Sequence, residues 1–120
     1  MTLAINECNK IYTLQEDFNT MFPFLKVEFY TKFRNQNGLS SNLLNNMSLC
    51  DARTIHTEKI IIITPQSTVI ELETQFLEIY GLIIQVFRKS GKVWLETTIT
   101  DSWTLEEQNQ QGEDLSKSVK

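Results

Sequence analysis

One imidazole, two thiols, a tryptophan set among basic residues and a run of carboxylates are the groups in this sequence with chemistry to offer. His56 is the only histidine, and Cys50 and Asp51 lie shortly before it. A thiol beside an imidazole is the raw material of a cysteine nucleophile, which needs a lowered pKa or a positioned base. Nearness along the chain does not supply that geometry, and a loop histidine with a small buried thiol is the plainer reading. Cys8, Cys50 and His56 offer three zinc ligands at a spacing that matches no zinc knuckle. Ser90, Gly91 and Lys92 invite comparison with a phosphate loop and fail it, because Val86 stands where the first glycine is required. No catalytic residue, metal or cofactor is read from these groups.

Arg88, Lys89 and Lys92 concentrate positive charge near Trp94. Basic residues beside an aromatic can hold a nucleotide or a single strand, but such charges more commonly blunt a turn or a sheet edge. Asp101, Glu106 and Glu107 flank Trp103, and paired carboxylates can do acid–base work. Here Glu107 has a capping partner three residues back in Thr104, and Asp101 suits a cap or a turn.

The remaining signal is a sheet face. Leu82, Ile84 and Val86 alternate with Ile83, Gln85 and Phe87. After a basic turn, Val93, Leu95, Thr97 and Ile99 alternate with Trp94, Glu96, Thr98 and Thr100. Side chains two apart share a face of a strand. A hairpin turning through Lys89, Ser90, Gly91 and Lys92, with Gly91 at positive φ, puts Phe87 and Trp94 on one otherwise polar face. Tyr30 joins them from an earlier strand, among Lys26, Glu28 and Lys32. Aromatic side chains on a polar face need a cover or a partner, and they are enriched at interfaces. Tyr30, Phe87, Arg88, Lys92, Trp94, Glu96 and Trp103 are therefore the candidate binding or interface residues.

Elements must hold that face in place. Ile11, Leu14, Phe18, Met21 and Phe22 recur at helical spacing, and the helix ends before Pro23. Leu25, Val27, Phe29, Thr31 and Phe33 alternate with polar partners, which predicts a half-buried strand. Arg34 to Ser41 reads as a loop, and Asn42 to Leu49 as a short helix. The isoleucines Ile60 to Ile63 predict a central strand, buried on both faces and closed by Pro65. Thr68 and Glu71 form a capping box for a helix whose face is Val69, Leu72, Phe76 and Tyr80, with Gly81 beyond its end. The step from the isoleucines to Leu82 is long enough for a parallel crossover. A second box at Thr104 and Glu107 starts a short helix, and from about Gln110 the polar chain reads as a frayed tail. No internal repeat stands out. The prediction is one α+β domain over residues 1–109 with a tail over 110–120. Its order is α-β-α-β-α-β-β, a two-layer fold with helices on one face of a four-stranded mixed sheet.

A chain of 120 residues, 41% hydrophobic and 22% charged, is enough for one real core. Its net charge of −4 argues against nucleic acid as the main partner, because phosphate neutralisation supplies most of such affinity. The start, MTLAINECNKI, has no charged leader and no long apolar run, so a cytoplasmic protein with reduced thiols is expected. Nothing approaches the ~18 apolar residues of a membrane span.

RKSGKVWLETT followed by TDSWTLEEQN resembles the C-terminal block of a family of small uncharacterised bacterial proteins, and FNTMFPFLKVEF near the start is similar too. The resemblance covers much of Phe18 to Asn109. It implies a single cytoplasmic domain and transfers no catalytic residue. The first functional reading is a non-enzymatic binding or assembly module, a homodimer through the open sheet face or a sheet edge, with an unidentified protein or small ligand as a further possible partner. The alternative is a ligand-binding protein or enzyme with a pocket beside Trp94 and Trp103. Third is a platform on which single-stranded nucleic acid stacks on Tyr30, Phe87 and Trp94.

Overall fold

The structure, a computed structural model, describes residues 2–5, 10–30, 34–35, 38–39 and 60–117. In chain order the elements are β1 (Leu3–Ile5), α1 (Ile11–Met21), β2 (Leu25–Tyr30), β3 (Arg34–Asn35), β4 (Gly38–Leu39), β5 (Ile61–Ile63), α2 (Val69–Tyr80), β6 (Ile83–Ser90), β7 (Val93–Glu96) and α3 (Leu105–Lys117). The fold is α+β. The expected four-stranded mixed sheet is not formed among the described residues. Instead β2, β6 and β7 make a three-stranded antiparallel sheet in the order β2-β6-β7, β1 pairs with β5, and β3 pairs with β4.

The periodic segments fold as their spacing dictates. α1 buries Ile11, Leu14 and Phe18, and β2 buries Leu25, Val27 and Phe29. α2 buries Val69, Leu72, Phe76 and Tyr80, and β6 adds Ile84 and Val86 to the same core. Phe76 sits edge-on to Phe29 at 5.4 Å, which joins helix to sheet. Gly81 ends α2 at φ 68°, its amide on Leu77 O at 3.0 Å and the amide of the buried Leu82 on Phe76 O at 3.2 Å. The β6–β7 hairpin is tighter than expected: Ser90 pairs with Val93 across Gly91 and Lys92 alone. Gly91 has φ 65° while Lys92 keeps a negative φ, which is the type II′ pattern.

Tertiary pairing overrules the pattern elsewhere. Among the described residues the isoleucine run is not a central strand: β5 pairs with β1 alone, and Ile62 is left 50% exposed. No parallel crossover joins it to β6, because the two strands lie in different sheets. The expected loop at Arg34 to Ser41 contains the β3–β4 pair. The expected helix at Asn42 to Leu49 lies outside the described residues, as do Cys8, Cys50, Asp51 and His56. β1 escaped the pattern because its three residues are too short to show a period.

The C-terminal segment departs furthest. β7 stops at Glu96, so Ile99, expected to face inward, is 98% exposed. The chain turns there because its carbonyls are needed at the start of α2. Ile70 N–H donates to Asp101 O at 2.8 Å and Val69 N–H to Trp103 O at 3.2 Å. The exchange is mutual: Glu106 N–H donates to Pro65 O at 3.0 Å and Leu105 N–H to Ser67 O at 2.8 Å. Each helix start thus receives the carbonyls of the other's leading loop, which satisfies amides that no intrahelical partner could. A short internal match underlies this symmetry. Ile63, Thr64, Thr68, Val69 and Glu71 are echoed at the same spacing by Ile99, Thr100, Thr104, Leu105 and Glu107. The expected tail is helical as far as Lys117, because Gly112 lets α3 lie close against Phe24 and Arg88. Among the described residues no helix is long and apolar enough to cross a membrane.

Candidate functional site

The core-facing side of the three-stranded sheet is covered by helices. The other side is built from alternate residues of β2, β6 and β7. Lys26 pairs with Phe87 and Phe87 with Glu96, Glu28 pairs with Gln85, and Tyr30 with Ile83. Lys89 stands across from Trp94. Tyr30, Phe87, Trp94 and Glu96 therefore share one face, as the alternation predicts. Burial, followed by the Glu28 and then the Glu96 carboxylate, pushes the Tyr30 hydroxyl above its usual pKa.

This face supplies part of its own cover. The Lys26 ammonium lies 5.4 Å from the Phe87 ring centre and 5.1 Å from that of Trp94, and Lys89 approaches Trp94 to 5.9 Å. Both rings are half-buried under lysine stems, a combination of cation–π attraction and apolar contact. Lys26 also reaches Glu28 at 3.8 Å. The bare apolar groups are on the reverse side of β7, where Val93 is 56% and Leu95 44% exposed. The alternation puts both on the side away from Trp94, but periodicity alone does not say how far a helix layer extends over a strand.

Arg88 and Trp103 do not join the open face. Adjacent strand residues point to opposite sides, so Arg88 turns toward α3 while Lys89 faces out. Its guanidinium donates to Gln108 Oε1 at 2.9 Å and lies 5.7 Å from the Trp103 ring. Gln108 in turn donates to Thr100 O at 2.6 Å and to Thr100 Oγ1 at 2.8 Å. This network fixes α3 to the sheet and the turn before it. Trp103 thus lies with Arg88 on the α3 side of the sheet, whereas Trp94 lies with Lys26 and Lys89 on the open face. A shallow groove of ≈ 440 Å³ does border Trp103, with Glu106, Glu107, Gln110 and Gln111. The Glu107 carboxylate there is engaged as a cap by the Thr104 amide and hydroxyl, both at 3.0 Å, and these bonds hold it below the usual carboxylate range. Lys92 is exposed in the hairpin turn. Among the described residues no group of three or more His, Cys, Asp or Glu side chains is placed to hold a metal ion.

The two edges of the sheet differ. On β2, Gln15 Nε2 donates to Val27 O at 2.9 Å and Asn19 Nδ2 to Leu25 O at 2.8 Å, so amide side chains of α1 occupy that edge. On the far side, β7 has β6 as its one strand partner among the described residues. Lys89 N–H points away from β7, to Phe24 O at 2.9 Å. Alternation therefore turns Arg88 and Ser90 toward β7, pairs them with Leu95 and Val93, and leaves the backbone groups of Trp94 and Glu96 facing outward. That edge is a template for another strand.

No family model, curated protein or solved structure matches the chain.

Proposed function

We propose that the chain is an assembly module that forms a homodimer by pairing β7 with β7 of a second copy. The contrast between the two sheet edges carries this reading. The β2 edge is closed by Gln15 and Asn19. The β7 edge presents backbone with no partner strand among the described residues, beside exposed Val93 and Leu95. Edge strands of folded proteins are ordinarily protected, and a bare one with apolar side chains favours strand addition.

The residues of β7 complement themselves. An antiparallel pairing centred on Trp94 sets Trp94 against its own copy, Val93 against the second copy's Leu95, and Lys92 against the second copy's Glu96. Such a contact is isologous and closes as a dimer. It joins two three-stranded sheets into one of six strands. It covers the exposed pair on the helix side and sets opposite charges together on the open face, worth roughly 0.2–1 kcal/mol per cross-strand pair.

Sedimentation velocity from about 1 to about 100 µM tests the reading. Wild type should sediment as a dimer in the upper part of that range. Leu95→Lys, at an exposed site where it leaves the fold intact, should sediment as a monomer. A wild-type monomer throughout, or a dimer indifferent to Leu95→Lys, would remove the proposal.

A further inference from the structure

A second concave feature lies away from the β7 edge, between one flank of α2 and the start of β6. Ile70, Glu73, Thr74 and Leu77 recur every three or four residues along α2, so they form one stripe. Ile83, Ile84 and Gln85 at the start of β6 line it as well, together with Asp101. The groove has ≈ 510 Å³, within the range of small-molecule sites. Ile70 and Leu77 are large apolar side chains left exposed on it, although α2 already buries a full stripe on the adjacent side.

The charge of the groove is one-sided. Glu73 and Asp101 line it, no Lys or Arg does, and neither acid takes part in an ion pair among the described residues. Burial first, and the neighbouring Asp101 charge second, push the Glu73 carboxyl up to about 7, while a bond from the Val86 backbone acts the other way. The fold therefore holds an acid in an apolar setting beside a like charge, with no counter-ion among the described residues. An occupant that relieves this arrangement carries a positive charge on an apolar body.

We infer that this groove binds a small aliphatic ammonium ion, with its alkyl chain along Ile70, Leu77 and Ile83 and its charged head against Glu73 and Asp101. The ammonium supplies the charge that the two carboxylates lack, and the chain covers the apolar wall. Head and wall must both be engaged, so an alcohol of equal length or an amine with a short chain binds less well.

The test is a titration of the full chain with n-hexylammonium, followed by backbone amide NMR shifts, with hexan-1-ol and ethylammonium as controls. Saturable shifts are expected at Ile70, Leu77 and Ile83, with the alcohol weaker by about fivefold, as suits one partly exposed ion pair. Glu73→Gln should bring the amine down to the alcohol's level. Leu77→Ala should reduce the preference for hexyl- over ethylammonium. Glu73→Gln should also unfold at or above the wild-type temperature at neutral pH, which shows that lost binding is not lost folding. Equal binding of amine and alcohol, absence of saturation, or undiminished binding by Glu73→Gln would overturn the inference. Tighter binding of a backbone-blocked lysine than of n-hexylammonium would overturn it in favour of a protein side chain as the occupant.

Discussion

Arg88 and Lys89 are neighbours in the chain with unrelated roles. The pleat sends Lys89 to the ring of Trp94 and sends Arg88 under α3 to Gln108 and Trp103. The basic cluster seen in the sequence is thereby divided, and only its outer half belongs to a surface. Tyr30, Phe87, Trp94 and Glu96 were legible as one face because a period of two is a local property. The exposure of Val93 and Leu95 was not, since it depends on where the helix layer ends. Gly112 is another residue whose role is purely tertiary. A Cβ there would stand 2.9 Å from Phe24 Cβ, 3.1 Å from Arg88 Cγ and 3.2 Å from Lys89 O. Gly112→Ala should therefore lose stability, although alanine is better in an isolated helix by about 1 kcal/mol. The overpacking costs roughly 1–3 kcal/mol. Urea denaturation should show a lower midpoint at unchanged slope. A raised midpoint would mean that α3 can move away from the sheet freely.

At the scale of elements, the two helix starts are the best-determined feature. Glu71 N–H donates to Thr68 Oγ1 at 3.2 Å, and Glu107 N–H to Thr104 Oγ1 at 3.1 Å. Both caps were readable, because a cap is written within four consecutive residues. The Thr104 box is the fuller one, since the Glu107 carboxylate also takes the Thr104 amide at 3.0 Å. Their mutual placement was not readable, because the carbonyls of residues 101 and 103 reach α2 only through the fold. Thr104→Ala should cost about 1 kcal/mol or more through its cap. The Thr68→Ala, Thr104→Ala double variant should depart from additivity, since both sites share one backbone interface. Strict additivity in chemical denaturation would show that the two starts are independent. The partner of β5 and the lengths of β7 and α3 were missed for a related reason. Isoleucines promote a strand without choosing its partner, and a polar helix such as α3 is held by what it packs on.

Across the whole molecule, the groups that titrate set its response to pH. Glu73 has a folded pKa of about 7, above its ordinary 4.5. The folded state thus holds this proton more tightly than the unfolded chain does. The resulting stability is fully present below about 4.5, declines as the unfolded chain ionises, and is lost once pH has risen through about 7. The group is partly exposed, so solvent screening reduces the effect to about 1 kcal/mol. Glu73→Gln should therefore gain in melting temperature on wild type between about pH 5 and about pH 8, with Asp101 the charge left facing it. A constant difference across that range would show that Glu73 is solvated like a surface residue.

The dimer is the largest-scale claim, and its register makes it testable. Pairing centred on Trp94 opposes Lys92 to the second copy's Glu96, twice per interface. Lys92→Glu and Glu96→Lys should each set like charges together and weaken the dimer by roughly tenfold. Carrying both changes in one chain restores two opposite pairs. Sedimentation equilibrium of the wild type, the two single variants and the double variant measures this directly. The account predicts a wild-type dimer, two weakened singles and a double variant that recovers to within about twofold of wild type. A double variant as weak as its singles, or four proteins with one common association constant, would contradict it.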